Sequence, residues 1–148
     1  MANDNIVSVL NTLLETCRDG ENGFRNAAEN VRNPALNARF LEFARERAGF
    51  ADELSREVQR LGGTPASGGS ASGALHRGWM DVKGAVTGRD DSSLIAEAER
   101  GEDVAVTTYR RALDQLLPAQ TKAIVERQAV RVKAVHDEVR AMERHQQT

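Results

Sequence analysis

The sequence is short of aromatic residues, which fill 4% of its 148 positions, and it holds three prolines and one cysteine, Cys17. A single thiol excludes a disulfide framework and any multi-thiolate zinc site within the chain. No apolar run exceeds a few residues, so neither a membrane-spanning helix nor a secretory signal is expected, and the expected setting is the cytoplasm. Neither sign of charge dominates, since 20 basic and 22 acidic residues give a formal charge of −2 and are interleaved along the chain. Without a basic face there is nothing to hold a phosphate backbone, so no nucleic-acid partner is expected. Period-2 alternation is missing too, which argues against strands. What the chain does have is Ala, Arg, Glu, Val and Leu, the composition of helices.

The length suits a single domain, 1–148, and the pattern divides it into two halves. Before position 62, apolar residues recur at steps of three and four: Ile6, Val9/Leu10, Leu13/Leu14, Cys17, Phe24, Ala27/Ala28 and Val31 on a first helix. Asn33-Pro34 breaks that run with an N-cap and N1 pair. A second stripe follows through Leu36, Phe40, Phe43, Phe50, Leu54, Val58 and Leu61, giving a hairpin over 4–61. Residues 62–73 read GGTPASGGSASG, a linker that cannot hold a helix. A short amphipathic helix over 74–87 carries Leu75, Trp79, Val82 and Val86. The last hairpin, 91–146, begins at Asp90/Asp91/Ser92, with stripes at Ile95, Ala98, Ala105, Tyr109, Leu113 and Leu116, then at Ile124/Val125, Val132, Val135, Val139 and Met142.

Loop length selects the topology. The join over 62–90 far exceeds the ~2–8 residues usual between bundle helices. It is long enough to return along a whole helix of ~42 Å, making the second and third long helices parallel. Two antiparallel hairpins joined by such a crossover form a ferritin-like, all-α four-helix bundle; the alternative is an up-down bundle with a loose middle loop.

Each long helix interrupts its apolar stripe once. Glu21 replaces an apolar residue on the first, Glu46-Arg47 on the second, Glu102 on the third and Gln128 on the fourth. The segments Arg18-Asp19-Gly20-Glu21 and Glu99-Arg100-Gly101-Glu102 form a weak internal repeat. Burying a carboxylate costs several kcal/mol unless a cation or strong donors accompany it. Di-metal bundles meet that need with one Glu from each of two helices and a Glu-x-x-His from each of the other two. Here Glu21 and Glu102 fit the single-Glu positions and Glu46 opens a motif. Gly49 stands where a histidine belongs, and the fourth helix offers Gln128 and Arg131.

Two occupants of this layer follow from these residues. One is a divalent cation held by Glu21, Glu46 and Glu102, an all-oxygen set suited to Mg, Ca or Mn rather than to redox iron. The other, favoured on charge grounds, is Arg47 or Arg131 turned inward to neutralise the same carboxylates. Tyr109 is expected to donate to a core polar group, Cys17 to pack as a small hydrophobe, and His136 to sit at the core boundary. Trp79 is expected to anchor the crossover, with a partner-binding role as the alternative.

His76-Arg77-Gly78-Trp79-Met80-Asp81-Val82-Lys83, Glu97-Ala98-Glu99-Arg100-Gly101-Glu102-Asp103 with Tyr109, and Glu46-Arg47-x-x-Phe50-Ala51-x-Glu53-Leu54 resemble a bacterial ferritin-like four-helix-bundle family of unknown function. The resemblance covers nearly the whole chain. It implies the bundle fold, distant kinship with ferritins and rubrerythrins, and a stress-associated role. In metal-bearing relatives it implies ligands at Glu21, Glu46 and Glu102, with departures at Gly49, Gln128 and Arg131. The expected function is therefore a non-catalytic binding or structural protein, acting through its surface or through homo-oligomers. A degenerate metal-binding protein with oxidase or storage activity is the alternative.

Overall fold

The computed structural model describes residues 2–66 and 90–146. They form four helices: α1 (Ala2–Asn30), α2 (Pro34–Arg60), α3 (Asp91–Leu113) and α4 (Ala119–Gln146). Among the described residues there is no strand, and no helix is long and apolar enough to cross a membrane. Trp79, the expected short helix over 74–87 and the linker from 67 onward lie outside the described residues.

The helix ends are set by local chemistry. The Asn33 side chain accepts from the backbone N–H groups of Ala35 (2.9 Å) and Leu36 (3.1 Å), with Pro34 at the first helical position. Asp90 caps α3 by accepting from Ser93 N–H at 2.9 Å. Its neighbour Asp91 accepts from the N–H groups of Arg32 (2.8 Å) and Asn33 (3.0 Å), so this one carboxylate ties the start of α3 to the α1–α2 turn. At the far end of α2, Gly62 takes φ +85°. That left-handed residue lets Gly62 N–H reach Gln59 O (3.0 Å) and Gly63 N–H reach Val58 O (2.9 Å), which closes the helix. Asn11 of α1 then holds the departing chain, donating to Thr64 O (3.0 Å) and accepting from Ala66 N–H (2.8 Å).

Side-chain pairings fix the directions. Along α2 and α4, Arg39 meets Glu138, Glu46 meets Arg131, and Glu57 meets Thr121, so the numbers run oppositely and the helices are antiparallel. Along α2 and α3, Phe40, Phe43 and Ala44 share a cluster with Ile95 and Ala98. Further on, Phe50, Ala51 and Leu54 share one with Ala105, Tyr109 and Ala112. Numbers rise together, so α2 and α3 are parallel, as a long crossover requires. The fold is the ferritin-like bundle expected from the loop lengths.

The core is two apolar clusters stacked along the bundle. One gathers Phe24, Ala27, Phe40, Phe43, Ile95, Val135 and Val139, with the three phenylalanine rings in tilted contact at 5.2–6.2 Å between centroids. The other gathers Leu10, Leu13, Leu14, Cys17, Leu54, Val58, Tyr109, Val125 and Val132. Between them in sequence on α1, α2 and α3 lie Gly20-Glu21, Glu46-Arg47 and Gly101-Glu102. Backbones approach closely between α1 and α2, α3 and α4, and α1 and α3, whereas α2 and α4 stand further apart. One residue departs from the expected stripe: Leu116 is 96% exposed. The helix ends at Leu113 with Asp114 as its cap, and Pro118 disfavours helical conformation at Leu117 just before it, so Leu116 falls in the turn between.

Candidate functional site

At the junction of the two clusters, Arg47 and Glu102 form an ion pair between Nη2 and Oε2. Their side chains are 1% and 0% exposed. The helical phase of α2, with Phe43, Arg47, Phe50 and Leu54 on one face, sends the guanidinium inward. Space for it comes from Gly20 on α1, where a Cβ would stand 2.9 Å from Arg47 Nη1. Phe24 lies beneath the guanidinium, with the ring centroid 5.7 Å from Cζ. Burial pushes the Glu102 carboxyl upward in pKa, and Arg47 opposes that shift. Burial also works against the Arg47 charge, but Glu102 over-rides it and the guanidinium stays protonated. Among the described residues Arg47 Nη1 and Glu102 Oε1 have no hydrogen-bond partner.

The other carboxylates expected in this layer are also held by arginines, nearer the surface. Glu46 accepts from Arg131 Nε (2.9 Å) and Nη2 (3.4 Å) and lies close enough to Glu102 for its charge to raise that group's pKa. Glu21 accepts from Arg25 at 2.7 Å and lies 3.6 Å from Arg18, all on α1. Gly49 is exposed, and a Cβ built there would meet nothing within 4 Å.

A second polar system crosses the bundle beside the ion pair. Tyr109 donates to Gln128 Oε1 at 2.7 Å. Cys17 Sγ lies 3.0 Å from the Tyr109 oxygen. With the phenolic hydrogen committed to Gln128, the thiol is the donor. Gln128 in turn donates to Glu53 Oε1 (2.8 Å) and Phe50 O (3.4 Å), and Arg127 pairs with Glu53 at the surface. Thiol, phenol, amide and carboxylate thus form one directional chain touching all four helices, and each link polarises the next. Burial pushes the Cys17 thiol up to about 11 and the Tyr109 phenol well above its ordinary value, so both stay neutral. Glu53 has no helical-stripe signature that marks it as the partner of Gln128; only the α2–α4 register brings them together.

A third constellation lies on the α3–α4 face. Glu99, Asp103 and His136 bring ligating atoms within 4.8 Å of one another. His136 Nε2 is 2.5 Å from Asp103 Oδ1, and its Nδ1 is 3.1 Å from Asp137 Oδ1. Glu99 and Asp103 are one turn apart on α3, but their separation from His136 in sequence left no local motif by which to find them.

A four-helix bundle with a parallel second and third helix and a polar layer at mid-height is the ferritin-like class. Within that class the chain belongs to the family described as a domain of unknown function, DUF2383, whose model matches residues 5–115. A comparison with curated proteins gave no match. Solved structures with the same fold include a C-terminal deletion mutant of Mycobacterium smegmatis Dps, at 17% identity and a TM-score of 0.76, covering 95% of this chain and 99% of that one. Staphylococcus aureus Dps matches at 15% identity and a TM-score of 0.75, covering 95% of each chain. Dps from Vibrio cholerae O1, described as a member of a broad superfamily of ferritin-like diiron-carboxylate proteins, matches at 18% identity and a TM-score of 0.72, covering 94% of this chain and 89% of that one.

Proposed function

We propose that this chain is a non-catalytic ferritin-like protein, binding or structural in role and stress-associated, in which an internal arginine stands where metal-bearing relatives hold their ions. The observation that carries this reading is the Arg47–Glu102 pair, closed off from water. A di-iron or di-manganese centre needs carboxylates free to give lone pairs to the ions. In this layer a permanent cation takes up one oxygen of Glu102, and Arg131 engages Glu46. Bringing in a divalent ion beside Arg47 would place like charges together at low dielectric, where repulsion is strongest. The donor set Glu21, Glu46 and Glu102 therefore fits an arginine layer better than a metal centre. Gly20, which leaves room for the guanidinium, supports the same reading.

Glu102→Gln separates the two occupants. If Arg47 neutralises Glu102, removing the carboxylate strands a buried charge and costs roughly 3–5 kcal/mol, measured by denaturant unfolding. Manganese and iron uptake should then match that of the unsubstituted protein. Loss of metal uptake on Glu102→Gln, or a gain in stability, would overturn the proposal in favour of a metal-binding core.

A further inference from the structure

We infer that Glu99, Asp103 and His136 form a divalent transition-metal site on the α3–α4 face, separate from the arginine layer. Three observations carry it. First, the ligand atoms already converge, all lying within 4.8 Å of one another. Glu99 and Asp103 share one face of α3 at i, i+4, and His136 comes across from α4. Ligand lengths of ~2.0–2.2 Å ask these atoms to stand about 3–3.5 Å apart, which opens the 2.5 Å contact between the exposed Asp103 and His136 slightly and keeps Glu99 within reach.

Second, the imidazole is oriented. His136 is largely buried, and Asp137 Oδ1 lies 3.1 Å from its Nδ1. Asp137 is itself anchored by Lys133 Nζ at 2.8 and 2.9 Å. A carboxylate accepting from Nδ1–H fixes the ring and leaves Nε2 to ligate, which is the arrangement that supports metal-bound histidines. The ring's Nε2 is hydrogen-bonded to Asp103 Oδ1 at 2.5 Å, so a metal ion entering here takes the place of the shared hydrogen, which leaves as a proton. Third, the group is open on one side, since Asp103 is 59% exposed, so an ion can enter and keep water in its remaining positions.

The chemistry of the donors sets the class of ion. One imidazole nitrogen with two carboxylates suits Zn²⁺, Mn²⁺ or Fe²⁺, whereas Mg²⁺ and Ca²⁺ prefer oxygen throughout. The site shares no residue with the Glu21, Glu46 and Glu102 set. It stands or falls independently of the proposed function, because Glu102→Gln tests that layer and leaves these three ligands intact.

The test is calorimetric titration of the full-length protein with Zn²⁺ alone, and separately with Mg²⁺ alone. One Zn²⁺ per chain is expected, with no comparable heat from Mg²⁺. His136→Ala should weaken Zn²⁺ binding at least tenfold. Asp137→Asn, which keeps all three ligands, should weaken it about 10- to 100-fold by releasing the ring. Glu99→Gln/Asp103→Asn alters solvent-facing atoms and guards against a folding defect in His136→Ala, with circular dichroism confirming helix content. Absence of Zn²⁺ binding, equal binding of Mg²⁺, or Zn²⁺ binding unchanged in either ligand variant would overturn the inference.

Discussion

At Arg47 one guanidinium nitrogen meets Glu102, while the other faces the backbone of Gly20. Such a pair is a poor source of net stability, because both ions have left water and only their mutual attraction offsets that cost. Its energetic signature is asymmetry. Removing either partner alone is expensive, but Arg47→Met/Glu102→Leu should return the molecule to within about 1 kcal/mol of its starting stability or above it, since apolar replacement of buried ion pairs is often neutral or stabilising. Denaturant unfolding of both singles and the double, analysed as a thermodynamic cycle, measures this directly. Cys17 offers a second check at the same scale. Its thiol is fully buried, donates to Tyr109 and has a pKa pushed up to about 11. Thiolate is the reactive form, so a disulfide reagent at neutral pH should leave Cys17 unlabelled in the native protein and label it once denaturant is added. Rapid native labelling would contradict the buried chain.

The seam between α2 and α4 is built differently from the others. It carries Arg39–Glu138, Glu46–Arg131 and Glu53–Arg127, and ends with Glu57 bonded to Thr121 and Arg60. Arg39 holds the Glu138 carboxyl below its usual range, and Arg60, aided by Thr121, does the same for Glu57. A depressed carboxylate contributes stability above its unfolded pKa of ~4.3 and loses it as pH falls through the lower folded value. Melting temperature should therefore drop on acidification from about pH 5 downward, and less steeply in Glu57→Gln/Glu138→Gln. A drop of unchanged steepness in that variant would assign acid sensitivity to other groups. The seam also explains what could be read beforehand. Stripes, caps and loop lengths gave the helices and their directions, because each is a local or additive signal. The inward turn of Arg47 followed from its phase between Phe43 and Phe50. The choice between Arg47 and Arg131 as partner of Glu102, the link from Gln128 to Glu53, and the meeting of Glu99 and Asp103 with His136 all depend on axial register between helices, which no single helix encodes.

For the molecule as a whole, two large apolar side chains stand out on the surface of the described residues. Leu116 is 96% exposed and Val130 69% exposed, the latter beside Leu113 and Ala129. Single exposed apolar residues are ordinary, but Val130 borders an open apolar groove with Leu113 and Ala129, and surface of that kind is where partner chains dock. In keeping with the proposed binding role, light scattering is expected to give a small oligomer that shifts toward monomer in Leu116→Ser/Val130→Ser. A large closed shell would instead favour storage. The fit of Gly20 to Arg47 bears on how such a bundle can change over generations. A histidine placed at Gly49 would find open space around its Cβ, so that step toward a Glu-x-x-His motif is sterically free. It would bring no gain while Arg47 keeps its charge at the centre, and losing Arg47 first strands Glu102 and leaves a hollow against Gly20. The two changes are useful only together. Converting this layer to a metal centre would thus take concerted changes at Gly49 and Arg47, which no single substitution supplies.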